Sequence, residues 1–219
     1  MWGIPRLVRQ SLTAKLILST GICLFLSISL LSYLAIVHQE EQLMGYVVAE
    51  ADRLGTTIKL GTHYAMMLNS REDIQQIIAN IGRQKDILAL RIYNKAGEIK
   101  YSNVEREIDT RTNIEAEACY VCHRSSPPTS TLDLGERTRI FESWDGTRLL
   151  GILGPVYNEP GCSEGCHYHP RDKKILGAID VVVSLEDLDK EVTLFRNRII
   201  WFTAAVFLVL ATVIYVFMH

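Results

Sequence analysis

The stretch ILALRIYNKAGEIKYS, residues 87–102, is the clearest indication of the fold class. Leucine and isoleucine alternate with other residues over positions 87–93, turn-forming residues occupy positions 94–97, and a second short strand follows. Alternation on both sides of a tight turn is the pattern of a β-hairpin. The chain is therefore expected to contain an antiparallel sheet.

Two further segments extend this expected sheet. Residues 139–156 repeat the hairpin pattern around the turn Trp144-Asp145-Gly146, and residues 175–183 are rich in valine and isoleucine. Runs of such residues bounded by turn formers are typical of strands. We expect an α+β fold with a five-stranded antiparallel sheet from which two long loops depart.

Helical periodicity precedes the sheet. Between residues 40 and 82 the pattern predicts a long N-terminal helix, a break near residues 69–73 and a shorter amphipathic helix. A heptad-like seam in the long helix packs either against the protein's own core or against a parallel helix of a homodimer. The pattern leaves both open. The seam consists of Val47, Ala51, Leu54, Ile58, Gly61, Ala65 and Leu68.

Uncharged apolar stretches lie towards both ends of the chain. Residues 16–37 and 199–218 each have the roughly 20 residues that a helix needs to cross the hydrocarbon core. The first lacks a clear small-x-small cleavage site, which favours an uncleaved anchor over a signal peptide. Basic residues before it place the N-terminus in the cytoplasm. The expected layout is a cytoplasmic segment at 1–15, transmembrane helices at 16–37 and 199–218, and a periplasmic domain at 38–198.

Cys119-Tyr120-Val121-Cys122-His123 carries the most specific chemistry in the chain. The Cys-x-x-Cys-His spacing is typical of c-type haem attachment. Cys119 and Cys122 would each form a thioether with a haem vinyl group, and His123 would be the proximal iron ligand.

A second run at residues 162–167 has the same order with one extra residue between the thiols. It predicts a second haem c, attached to Cys162 and Cys166, with His167 as the proximal ligand. A disulfide between these cysteines or a small metal site is the alternative. The four motif cysteines and nearby histidines could also hold zinc. Two Cys-His endings and the expected export of the domain favour haem.

Candidates for the opposite face of each iron are less specific. His63 and Met67 lie one turn apart on a shared helix face. His169 is too close to His167 to bind the opposite face of the same haem, although it could reach the other one. A methionine on a helix is more often core packing than a ligand. His/Met coordination raises the haem potential relative to His/His, and an open sixth position permits gas binding.

Charge argues against several other functions. The chain has 23 Lys+Arg and 25 Asp+Glu without a basic stripe, so nucleic acid is not an expected partner. No combination of nucleophile and base occurs outside the haem motifs, so we do not expect an enzyme.

Taken together, these segments resemble the periplasmic input region of haem c-containing bacterial sensor histidine kinases and chemoreceptors. The similar pieces are MMLNSREDIQQII, RIYNKAGEIKYSN, ACYVCH, GPVYNEPGCSEGCHYHP and ILGAIDVVVSLEDLD. The resemblance implies a PAS- or Cache-like sheet flanked by helices, commonly dimeric, that senses redox state or a diatomic gas.

The sequence differs from such sensors at the end of the chain. In such sensors the second span leads to a HAMP linker and a cytoplasmic transmitter, whereas this sequence ends at His219. We therefore expect a truncated sensor, a sensor that signals through a separate subunit, or a membrane cytochrome.

The leading expectation is a di-haem cytochrome c domain in the bacterial inner membrane, with both termini cytoplasmic, that relays its signal through the second transmembrane helix. The alternative is a two-span cytochrome c that passes electrons between the quinol pool or a membrane complex and a periplasmic acceptor.

Overall fold

The computed structural model describes residues 12–159, 162, 169–170 and 172–218. The chain divides into two compact units. Gly45–Asp187 forms one of them, and the segments before and after it form the other.

The helices and strands follow the α+β expectation. The helices are α1 (Leu12–Met67), α2 (Arg71–Ile81), α3 (Glu117–His123), α4 (Leu134–Arg137) and α5 (Glu186–Met218), with a 3-10 turn at Glu105–Glu107. The strands are β1 (Ile87–Asn94), β2 (Ile99–Ser102), β3 (Thr138–Glu142), β4 (Arg148–Tyr157) and β5 (Ile175–Ser184).

These strands form one sheet in the order β2-β1-β5-β4-β3, and every neighbouring pair is antiparallel. The expected five-stranded antiparallel sheet and long N-terminal helix are confirmed. Because β5 returns between β1 and β4, the two hairpins meet along the last strand in the sequence. Strand β5 is therefore the centre of the sheet.

One face of the sheet is covered by the helices that precede it. Ile58 and Ile78 are fully buried, and a Cβ at Gly55 would lie 3.5 Å from a methyl group of Val181 on β5. In the heptad-like seam Ala51, Ile58 and Ala65 are buried, whereas Leu68 is 54% exposed. Part of the seam therefore packs against the protein's own core.

The expected break between the two helices is also present. Asn69 has a φ of 52°, in the left-handed region, and the Ser70 hydroxyl donates to the Asp73 carboxylate at 2.6 Å. A left-handed residue cannot continue a right-handed helix, so α1 ends at Met67 and α2 begins at Arg71.

An ion network lies on the other face. Asp180 of β5 is fully buried, and its carboxylate is 3.4 Å from Nη1 of Arg91 and 2.7 Å from Nη2 of Arg139. Arg91 donates two hydrogen bonds to Glu107, at 2.6 and 2.8 Å. Arg139 pairs with Glu117, the first residue of α3. The network thus connects three strands to the segment between β2 and α3.

The electrostatics of this network favour the charged forms of its partners. Burial alone would lower the pKa of Arg91, but the hydrogen bond to Glu107 and the nearby carboxylates outweigh it and raise that pKa. The hydrogen bond from Arg91 lowers the pKa of Glu107. Because that pKa is depressed, the stabilisation from Glu107 is complete at neutral pH. It is lost as the pH falls through the lowered pKa.

The flanking segments form their own unit. Two helices are long and apolar enough to cross a membrane by length and composition, Lys15–Met67 and Glu186–Val216. Within the unit, the hydroxyls of Ser32 and Thr203 are 3.0 Å apart, and the ring centroids of Phe25 and Phe207 are 4.8 Å apart.

The Asp180→Asn variant tests the ion network. The substitution keeps the side-chain volume and removes the charge that compensates two arginines. Loss of one partner of a buried ion pair costs about 3 kcal/mol or more. Hydrogen exchange of the β5 amides, measured on the full chain in detergent, should show this loss. The matched control is Asp145→Asn, at an exposed turn position, and equal protection in both variants would contradict the role given to Asp180.

Candidate functional site

The first motif lies on α3, a helix of two turns. Cys119, Cys122 and His123 occupy positions i, i+3 and i+4, which share one helix face. Ala118 and Val121 are buried, and Ala118 packs with Tyr93 and Ile99 of the sheet. The sheet therefore holds α3 through its apolar residues, next to the motif side chains.

A cavity of about 240 Å³, the first cavity, lies beside these side chains. Cys119, Cys122 and His123 line it. Its other walls are largely apolar and include Tyr93, Leu153, Ile175 and Ala178. Both cysteines are free and half-buried, and His123 is exposed. Two free thiols and an imidazole on the wall of an apolar cavity are the donor set that a covalently attached haem requires.

Burial sets the protonation of the side chains around this cavity. It raises the pKa of the Cys119 thiol, with a further contribution from Asp180, and raises the pKa of the Cys122 thiol. Burial and the Asp180 charge together raise the pKa of Tyr93 to about 12. All three groups are therefore neutral at pH 7.

The second motif is only partly within the described residues. Cys162 and His169 are described, and both are half-buried. The predicted attachment residue Cys166 and the predicted proximal ligand His167 lie outside the described residues. The structure therefore locates the first cysteine of this motif, Cys162, and His169, two residues after the end of the motif.

A second cavity, of about 250 Å³, brings these residues together with the long helix. Cys162, His169, His63, Met66 and Met67 all line it. His63 and Met66 are half-buried, and Met67 is 37% exposed. The three predicted distal ligands thus lie around one cavity, beside a cysteine of the second motif. Among the described residues that line the first cavity, His123 is the one histidine and there is no methionine.

The two cavities share a wall. Tyr93, Asn94 and Gly177 line both of them, at the end of β1 and the start of β5. A Cβ at Gly177 would collide with the carbonyl oxygen of Tyr93, so the two strands approach as closely as they do because residue 177 is a glycine. None of these three residues belongs to a motif that would predict a site. The sequence indicates only that Tyr93 lies near the end of β1, because the alternating pattern of that strand stops there.

Basic side chains lie near the first motif. A cavity of about 490 Å³ is lined by Cys119 and His123 together with Lys95 and Arg111. Lys95 also lines the first cavity. Within the part of the chain that is described, no three His, Cys, Asp or Glu side chains are grouped so that they could hold a metal ion by themselves.

Comparison with solved structures finds a weak similarity to a receptor. No family model and no curated protein matches the chain. An extracellular ligand binding receptor from Desulfohalobium retbaense DSM5692 aligns at 11% identity with a TM-score of 0.41, over 68% of this chain and 24% of the receptor. The chain thus corresponds to about a quarter of the receptor's length.

The Gly177→Ala variant tests the shared wall. The added Cβ meets the backbone of β1, which cannot move aside without breaking its pairing with β5, and overpacking of this kind costs about 1–3 kcal/mol. Hydrogen exchange of the β1 and β5 amides should report the loss. In the matched control Gly154→Ala, on β4, the added Cβ would be 3.7 Å from the nearest backbone oxygen, an ordinary contact. Similar exchange in the two variants would mean that the close approach at Gly177 is not needed.

Proposed function

We propose that the chain is a membrane-anchored periplasmic domain that carries two haem c groups and senses redox state or a diatomic gas. The observation that carries this proposal is the arrangement of the two motifs. Cys119 and Cys122 line one cavity, Cys162 lines another, and the cavities share a wall at one end of the sheet.

Each residue of the motifs has a role in this proposal. Cys119 and Cys122 attach the first haem and His123 is its proximal ligand, while Cys162, Cys166 and His167 do the same for the second. Haem iron supplies one-electron chemistry and, where its sixth position is open, gas binding. Lys95 and Arg111 line a cavity together with Cys119 and His123 and would pair with carboxylates at the edge of that haem.

The two sites differ in the ligands that the chain offers. His63, Met67 and His169 line the second cavity. One of these side chains can therefore be the sixth ligand of the haem iron proposed for this site. The described lining of the first cavity offers no second histidine or methionine. We therefore assign electron storage to the second site and ligand entry to the first.

Strand β5 supports the proposed relay into the second membrane helix. Ile175 at its start lines the first cavity. The strand ends at Ser184, whose hydroxyl accepts a hydrogen bond from the Glu186 backbone N–H at 3.2 Å, and Glu186 is the first residue of α5. Leu185 between them is fully buried. A displacement of the β5 start thus has a short covalent path into α5.

The membrane assignment follows from the two apolar helices and the basic N-terminal segment. We propose the bacterial inner membrane, with both termini in the cytoplasm, because haem attachment by the c-type maturation route takes place outside that membrane. A homodimer and a separate signalling subunit are further parts of the proposal.

Electron transfer is the second candidate function, and the shared wall favours it. Cavities that meet at Tyr93 and Gly177 would hold two redox centres close together. A two-span cytochrome of this kind would accept electrons from the quinol pool or a membrane complex and pass them to a periplasmic acceptor.

Intact mass and difference spectra separate these functions. The full chain is produced with c-type maturation active, and we expect a mass increase of two haem groups. We also expect a carbon monoxide response from the site at the first motif. Two haem groups without any carbon monoxide response would favour electron transfer, and a mass without haem would contradict both functions.

Cysteine variants assign the haem groups to the motifs. Cys119→Ala with Cys122→Ala should remove one haem mass together with the carbon monoxide response, because the thioethers hold that group. The matched control is Cys23→Ala, an exposed cysteine of α1 outside both motifs, which should keep both haem groups. If the double variant kept both, the first motif would not be an attachment site.

A further inference from the structure

A fourth cavity, of about 190 Å³, lies within the Gly45–Asp187 unit between α1 and the β4–β5 pair. We call it the basic cavity and define it by Asp52 and Lys59 of α1 and by Arg137 at the end of α4. Its walls include Ile152 and Ile179 of the sheet. None of these residues takes part in the two haem motifs.

The charges in the basic cavity do not balance. Nη2 of Arg137 is 2.9 Å from Oδ1 of Asp52, and the two side chains are only 18% and 29% exposed. Arg137 also donates to the Leu153 carbonyl at 3.3 Å. The Lys59 ammonium has no hydrogen bond or ion pair within the described part of the chain. Lys59, Arg137 and Asp52 line the cavity as two cations and one carboxylate, so its lining carries a net positive charge.

Size and wall chemistry restrict what can balance this charge. At about 190 Å³, the basic cavity is smaller than the pockets that hold drug-sized ligands. Its aliphatic walls, formed by Leu132, Ile152 and Ile179, suit an alkyl group, which phosphate and sulfate lack. A guanidinium and an ammonium are the common partners of a carboxylate. The ligand that fits this cavity is a small organic carboxylate.

We propose that the basic cavity binds a carboxylate group through Lys59 and Arg137. Lys59 and Tyr157 also line the second cavity, so the two cavities adjoin. The carboxylate can therefore come from a free small organic acid or from a propionate of the haem at the second motif. The propionate source rests on the proposed function, and the free source does not.

Butyrate is the probe for the free source, with neutral butyramide as the control for charge. Calorimetric titration uses the full chain in detergent at pH 7, after intact mass has fixed how much haem it carries. We expect butyrate to bind and butyramide not to bind. Lys59→Gln should weaken binding by about tenfold, the effect of losing one modest ion pair, and Lys59→Arg should retain it. The matched control is Lys85→Gln, at an exposed lysine paired with Asp187.

A variant without the second haem distinguishes the two sources. If butyrate binds the wild-type chain with dependence on Lys59, the free source is supported. If it binds only when Cys162 and Cys166 are both replaced by alanine, and again depends on Lys59, the propionate is the guest. Binding to neither chain, or equal binding to Lys59→Gln, would overturn the proposal. Haem content is measured separately from butyrate binding. A chain without haem would contradict the proposed function, whereas a lack of butyrate binding in both chains would contradict the proposed carboxylate site.

Discussion

The buried carboxylate of Asp180 is the interaction on which the rest of the domain depends. It lies on the central strand and is held from both sides, by Arg91 on β1 and by Arg139 on β3. Arg139 reaches it across β4 at Gly151, where any Cβ would collide with the guanidinium. One charge thus sets the register of strands that are far apart in sequence. Each arginine also pairs with a second carboxylate, Glu107 for Arg91 and Glu117 for Arg139.

The same network determines where the first motif lies. Glu117 begins α3, and its pairing with Arg139 fixes that end of the helix, while Ala118 fixes the helix against Tyr93. The two cysteines are thereby presented to a cavity that the sheet has already shaped. The electrostatic field of Asp180 reaches the same place, since it contributes to the raised pKa of both Cys119 and Tyr93.

Local chemistry explains which features could be predicted from the sequence. The strands were predictable because turn residues such as Asn94 and Gly97 separate two segments with alternating apolar residues. Gly97 has the positive φ of 75° that such a turn needs. The spacing from Cys119 to His123 was equally local. Asp180 and Arg139 are 41 positions apart, and their contact depends on the strand order, which no local pattern contains. The same holds for Lys59 and Arg137, which line one cavity only because α1 packs on the sheet. Ala51 and Leu68 show the limit of the heptad-like pattern, since both fit the seam but only Ala51 is buried, and Leu68 lies just beyond the end of α1.

The two proposed haem sites differ in a way that connects sensing with electron transfer. The second cavity is surrounded by His63, Met67 and His169, and the first has no comparable donor among its described lining residues. A site whose iron is completed by the protein exchanges electrons without binding gas, and one with an open position does both. The two cavities share Tyr93 and Gly177, so β5 contributes to the walls of both. In the proposed function, redox state and gas binding would therefore both act on β5, and by linkage each would change the response to the other.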